Sequence, residues 1–171
     1  YDGSDWVTVG IAGFSAGDAD YTSLALDSAG MPYVAYLDGG NSSNATVMKY
    51  DGSAWVLVGT AGFSAGVASY TSLALDSSGT PYVAYVDSAN NEQAMVMKYD
   101  GINWVIVGTS VPSLGSVNYT SLALDSLGQP YVVYTDYGND YKVTVMKIDN
   151  VPVLLGTPVN ADVGVHNVSL S

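Results

Sequence analysis

Aspartate is the residue type that recurs in this chain where chemistry could be done. Asp38, Asp87 and Asp136 stand 49 residues apart, each closing an apolar run and opening a segment that differs between copies. Carboxylates in such loops can supply the oxygen ligands that Ca²⁺ takes, or acceptors for the hydroxyl groups of a ligand. No Asp-x-Asp-x-Asp-Gly loop accompanies them. Asp27, Asp76 and Asp125 occupy Asp-Ser-x-Gly turns, where the side chain bonds its own backbone two residues on. Asp51, Asp100 and Asp149 begin a second set of turns. Both sets read as turn formers, because catalysis seldom needs the same residue in every copy. His166 is the only histidine and falls in a divergent last strand, where it reads as structural; cysteine and arginine are absent, so neither a multi-histidine nor a thiolate metal site can be assembled within one chain. Lys49, Lys98 and Lys147 alternate with Met48, Met97 and Met146 and read as solvated charges. No catalytic residue, metal ligand or cofactor is assigned, and the chain is read as not an enzyme.

Fourteen tyrosines and three tryptophans offer flat apolar faces with a polar handle, the surface a sugar ring stacks on. Most fall inside apolar runs, where packing accounts for them. Tyr137 and Tyr141, in the variable segment of the third copy, are the two left free to bind. With Asp38, Asp87 and Asp136 they form the candidate ligand site, and a glycan is the candidate ligand. Asn41, Asn44, Asn118 and Asn167 each open an Asn-x-Ser/Thr sequon, and Asn41 and Asn44, in a loop expected to be exposed, are the best acceptors.

The elements that must position these residues follow from a repeat. Trp6, Trp55 and Trp104 are 49 residues apart, as are Tyr21, Tyr70 and Tyr119. The copies read YTSLALDSAGMPYVAYLD, YTSLALDSSGTPYVAYVD and YTSLALDSLGQPYVVYTD. Each unit holds four short strand patterns, in the second unit Thr71–Leu75, Tyr82–Asp87, Ala94–Tyr99 and Trp104–Gly108, with no helical period between them. Tyr-Asp-Gly after the third strand predicts a two-residue hairpin with positive φ at both turn positions. Four-stranded meanders at this spacing predict an all-β fold of β-propeller blades stacked face to face. Leu73, Leu75, Val83, Tyr85, Val96 and Trp55 are the expected packing positions. The unit boundaries are 21–59, 70–108 and 119–156.

The runs ALDSSGTPYVAYVDSANN and VMKYDGSAWVLVG resemble NHL-type, kelch-like and related propeller repeats. They are more similar still to the Trp-Val-x-Val-Gly, Gly-Phe-Ser-Ala-Gly and Tyr-Thr-Ser-Leu-Ala repeats of secreted bacterial surface proteins. The resemblance implies the blade architecture and an extracellular or cell-surface setting. It implies no ligand, and the NHL-type arginine that accompanies RNA binding is missing.

At the ends, residues 1–10 match the outer strand of an incomplete blade, carried by Trp6, Val7 and Val9, and residues 163–171 match a divergent first strand, carried by Val165, Val168 and Leu170. Three blades do not close a propeller, and open strand edges template pairing with another chain. The expected partners are therefore copies of the same chain, in a closed oligomer or a filament, with glycans as a further partner class. The net charge of −12 excludes the basic stripe a nucleic-acid reader needs and disfavours an anionic membrane surface; no apolar stretch is long enough to insert. The sequence thus points to an extracellular structural or adhesion module that self-associates, with a lectin-like binding propeller as the alternative.

Overall fold

The computed structural model describes residues 3–148. The expectations placed on Asp149, on the fourth strand of the third unit, and on Val165, His166, Asn167, Val168 and Leu170 lie outside those residues. Three antiparallel meanders follow one another. The first is β1 (Ala19–Leu26), β2 (Pro32–Asp38), β3 (Asn44–Tyr50) and β4 (Trp55–Leu57). The second is β5 (Ala68–Leu75), β6 (Pro81–Asp87), β7 (Gln93–Tyr99) and β8 (Trp104–Ile106). The third is β9 (Val117–Leu124), β10 (Pro130–Asp136) and β11 (Lys142–Lys147). These are β-propeller blades, and among the described residues they form an open stack rather than a ring.

The Tyr-Thr-Ser-Leu-Ala-Leu motif stitches one blade to the next. The Leu73 amide donates to Ser23 Oγ and the Leu122 amide to Ser72 Oγ, each at 2.9 Å. The Thr71 and Thr120 hydroxyls donate to the carbonyls of Tyr21 and Tyr70. Strand alternation sends successive side chains to opposite faces, so every blade has two packing faces. Leu73, Val83, Tyr85, Met95 and Met97 pack with Tyr33, Ala35, Ala45 and Val47 of the first blade. Tyr82, Ala84, Val86, Ala94 and Val96 pack with Val117, Leu122, Val132 and Tyr134 of the third. The expected packing positions thus divide between two faces, Val96 lying opposite Leu73, Val83 and Tyr85. Buried tyrosine hydroxyls find partners: Tyr85 donates to Met97 Sδ at 3.1 Å and Tyr134 to the Pro112 carbonyl at 2.8 Å.

Each tryptophan of the outer strands reaches back one blade. Trp104 Nε1 donates to the Val58 carbonyl at 2.8 Å and its ring stacks on Phe63, centroids 4.2 Å apart. Trp55 repeats this with the Val9 carbonyl at 2.9 Å and Phe14 at 4.1 Å. Gly59 makes room for the arrangement: its φ is +73°, and a Cβ there would lie 2.8 Å from the Tyr99 ring. Only glycine satisfies both demands.

Three expectations are corrected. Trp6, Val7 and Val9 form no strand, whereas Trp55 and Trp104 open fourth strands that pair with the third strands of their own blades. The Tyr-Asp-Gly turn is not a two-residue hairpin. Tyr50 pairs with Trp55 across four residues, only Gly52 has positive φ, and Asp51 Oδ1 accepts the Ser53 and Ala54 amides. The first strand of the second blade begins at Ala68 rather than Thr71, because a bulge between Ser69 and Ser72 breaks the two-residue period.

Candidate binding sites at the two ends of the strands

The loop after each second strand is short and built by its aspartate. Asp38, Asp87 and Asp136 cap 3-10 turns at Gly39–Asn41, Ser88–Asn90 and Tyr137–Asn139. In the second blade Asp87 Oδ1 accepts the Ala89 amide at 2.9 Å and Oδ2 accepts Asn90 Nδ2 at 2.8 Å. The other two copies repeat this through Gly40 and Asn41, and through Gly138 and Asn139. All three carboxylates are buried. The structure therefore gives these candidate ligand residues to the turns, where their oxygens are occupied. An Asp-x-x-Asn repeat in the sequence was the overlooked signal for this. The sequon side chains are tied into the same layer. Asn41 Nδ2 holds Asp38, Asn44 Nδ2 donates to the Ser64 carbonyl at 3.0 Å, and Asn118 Nδ2 donates to the Tyr137 hydroxyl. A glycan on Asn41 or Asn44 would take one of the two N–H groups of an amide that helps shape a blade.

Tyr137 and Tyr141 are exposed, as expected, but pack on each other with ring centroids 4.6 Å apart. A separate aromatic row is built from residues that look, in sequence, like strand-packing residues. Tyr21, Tyr70 and Tyr119 sit at the bulges of β1, β5 and β9 with φ of 49°, 53° and 55°, a region ordinarily left to Gly, Asn and Asp. Their rings follow at 4.7 and 4.8 Å. Burial, then the neighbouring Tyr21, Tyr119 and Tyr137, hold the Tyr70 phenol above its ordinary pKa. A cavity of about 360 Å³ opens between Tyr21, Tyr70 and Tyr137, with Ser88, Glu92 and Asn118 on its wall.

At the opposite end of the strands a groove of about 480 Å³ separates the first two blades. Lys49 and Lys98 line it, each ammonium 6.0 Å from the ring centre of its cross-strand partner, Tyr33 and Tyr82. This is the outer reach of a cation–π contact. Neither lysine has a carboxylate within 4.0 Å among the described residues, where the single ion pair is Lys142 with Asp140. Asp76, Ser78 and Thr80 form one wall. Asp76 Oδ1 collects the Ser78 and Thr80 amides at 2.9 Å and the Ser78 hydroxyl at 2.6 Å. Burial opposes ionisation of Asp76, but these donors prevail and keep its pKa below the ordinary aspartate value. Asp100, whose Oδ1 takes the Asn103 and Ile102 amides, is lowered too. Both carboxylates are thus ionised acceptors at neutral pH, facing ammonium donors across one groove. The matching turns read Asp-Ser-Ala-Gly-Met and Asp-Ser-Leu-Gly-Gln in the other units, so the Ser78 and Thr80 hydroxyls are peculiar to this junction.

No protein-family model matches the chain, and no curated protein matches it. Among solved structures the chain is similar to a fucose lectin from Kordia zhangzhouensis, determined with methyl-fucoside. The TM-score is 0.48 and the identity 17%, over 75% of this chain and 92% of the lectin. It is also similar to an alpha-L-arabinofuranosidase from Lactobacillus brevis (TM-score 0.43, 13% identity) and to an exo-1,5-alpha-L-arabinanase from a bovine ruminal metagenomic library (0.42, 10%). These cover 76% and 75% of this chain, which spans 52% of each enzyme. Two of the three are described as enzymes, which contradicts the expectation that the chain is not one.

Proposed function

We propose that the chain is a carbohydrate-binding set of propeller blades whose sugar site is the groove between the first and second blades. The observation that carries this is the mixed wall: ammonium donors at Lys49 and Lys98, ionised acceptors at Asp76 and Asp100, hydroxyls at Ser78 and Thr80, and tyrosine rings beneath the lysines. Alternating donors and acceptors suit a neutral sugar, whose hydroxyls both donate and accept. The resemblance to secreted bacterial repeats supports an extracellular or cell-surface setting. The test is retention of neutral saccharides on a glycan array, followed by titration of the best binder. Lys98→Met and Ser78→Ala are each expected to weaken it about tenfold, the loss of one hydrogen bond to a charged or hydroxyl group. Full affinity in both variants, or no neutral saccharide retained, removes the groove as the site.

A second reading has its own observation. Val143 and Val145 occupy the positions of Ala94 and Val96, which the next blade covers, yet they are 72% and 61% exposed. At the other end of the stack Leu24 is 64% exposed where Leu73, its equivalent, is 6%. The two faces already fit each other twice within the chain, so head-to-tail packing of a second copy supplies what each lacks. Light scattering is expected to show concentration-dependent growth in mass that V143E/V145E abolishes. A wild-type chain that stays a single copy at high concentration overturns it.

A further inference from the structure

In a chain of near-identical units, residues that break the repeat mark where the units stop being equivalent. Glu92 is the single glutamate of the sequence; the same position is Ser43 in the first unit and Tyr141 in the third. Its backbone is fixed at a blade junction, the amide donating to the Asp87 carbonyl at 3.1 Å and the carbonyl accepting from the Val117 amide at 3.0 Å. That placement puts Glu92 on the wall of the open cavity lined by Tyr21, Tyr70 and Tyr137. Tyr137 is likewise peculiar to its unit, standing where the others have Gly39 and Ser88.

We propose that this cavity binds an organic cation, an alkylammonium group held against the tyrosine faces and neutralised by Glu92. Aromatic faces carry negative electrostatic potential, and a cation with little hydration shell is drawn to them. No lysine lines the cavity, and the nearest basic side chain along the third blade, Lys142, is engaged by Asp140 at 3.4 Å. The net charge of −12 adds long-range attraction for a cation. The site lies at the end of the strands opposite the sugar groove and stands independently of it.

The probe is choline, titrated against the intact chain by NMR, beside its uncharged carbon isostere 3,3-dimethylbutan-1-ol. Choline is expected to saturate, with the isostere about tenfold weaker or more, the size of a partly desolvated cation–π contact. Glu92→Gln is expected to weaken choline several-fold and Tyr137→Leu about tenfold, with unfolding midpoints close to wild type because both side chains are surface-accessible. Lys98→Met, in the sugar groove, leaves choline binding unchanged. A peptide carrying trimethyl-lysine serves as a further arm: tighter binding than choline places the cation on a protein, equal binding on a free amine, and both support the proposal. Equal affinity for choline and the isostere, choline binding untouched by both E92Q and Y137L, or no saturation by either cation overturns it.

Discussion

Trp104→Ala is expected to cost roughly 3–5 kcal/mol of unfolding free energy, the range for deleting a large aromatic from a packed core. At about 2–4 °C per kcal/mol for a chain of this size, the midpoint falls by roughly 10 °C. The indole is 9% exposed, stacks on Phe63 and donates to the Val58 carbonyl across a blade junction. Its removal therefore leaves a cavity and an unpaired acceptor in the same place. The repeat supplies the control. Trp6 has the same sequence neighbourhood but is 93% exposed, so Trp6→Ala is expected to stay within about 0.5 kcal/mol, and the half-buried Trp55 should fall between them. Urea unfolding of the three single variants measures this ladder. Equal losses at Trp6 and Trp104 would show that the blade junctions are not what these tryptophans stabilise.

The second large effect concerns a charge. Asp87→Ala is expected to cost about 2 kcal/mol, since it removes a buried carboxylate that caps the turn and accepts from the Ala89 amide and from Asn90 Nδ2. Asp87→Asn, which keeps one acceptor, should lose less. Asp76→Ala, in a turn open to solvent, should cost a few tenths of that. If Asp87 instead served a bound ion or ligand, its loss would show in binding and leave the urea midpoint near wild type. That outcome would return it to the site from which its hydrogen bonds have removed it.

Much of the fold was legible because its signals are local. Strand alternation, the Asp-Ser-x-Gly turns and the 49-residue spacing all act within a few residues or repeat themselves, and they place β2, β3, β6 and β7 within a residue or two. The start of β5 was missed because Tyr70 adopts positive φ, which no tyrosine side chain announces. The candidate site was less legible. Asp38, Asp87 and Asp136 looked free because turn capping by a carboxylate is decided by the backbone it folds against. Tyr21, Tyr70 and Tyr119 looked like packing residues because a bulge within each blade turns the ring outward and only the stacking of adjacent blades makes a row of them. Lys49 and Lys98 looked merely solvated, because in sequence nothing says that they end on the same groove.

The amino-acid order by itself determined that there would be repeated four-stranded blades, where their turns fall, and which side chains face away from each other. Strand periodicity and turn chemistry depend on neighbours in the chain. Only the stacking of blade on blade decided what became of residues identical in type and spacing. Three tryptophans end exposed, half-buried and buried, and three serine–leucine–alanine strands become one stitched seam with two unequal ends. Burial is a property of what lies across the junction, and a residue cannot carry that information in its own copy of the repeat.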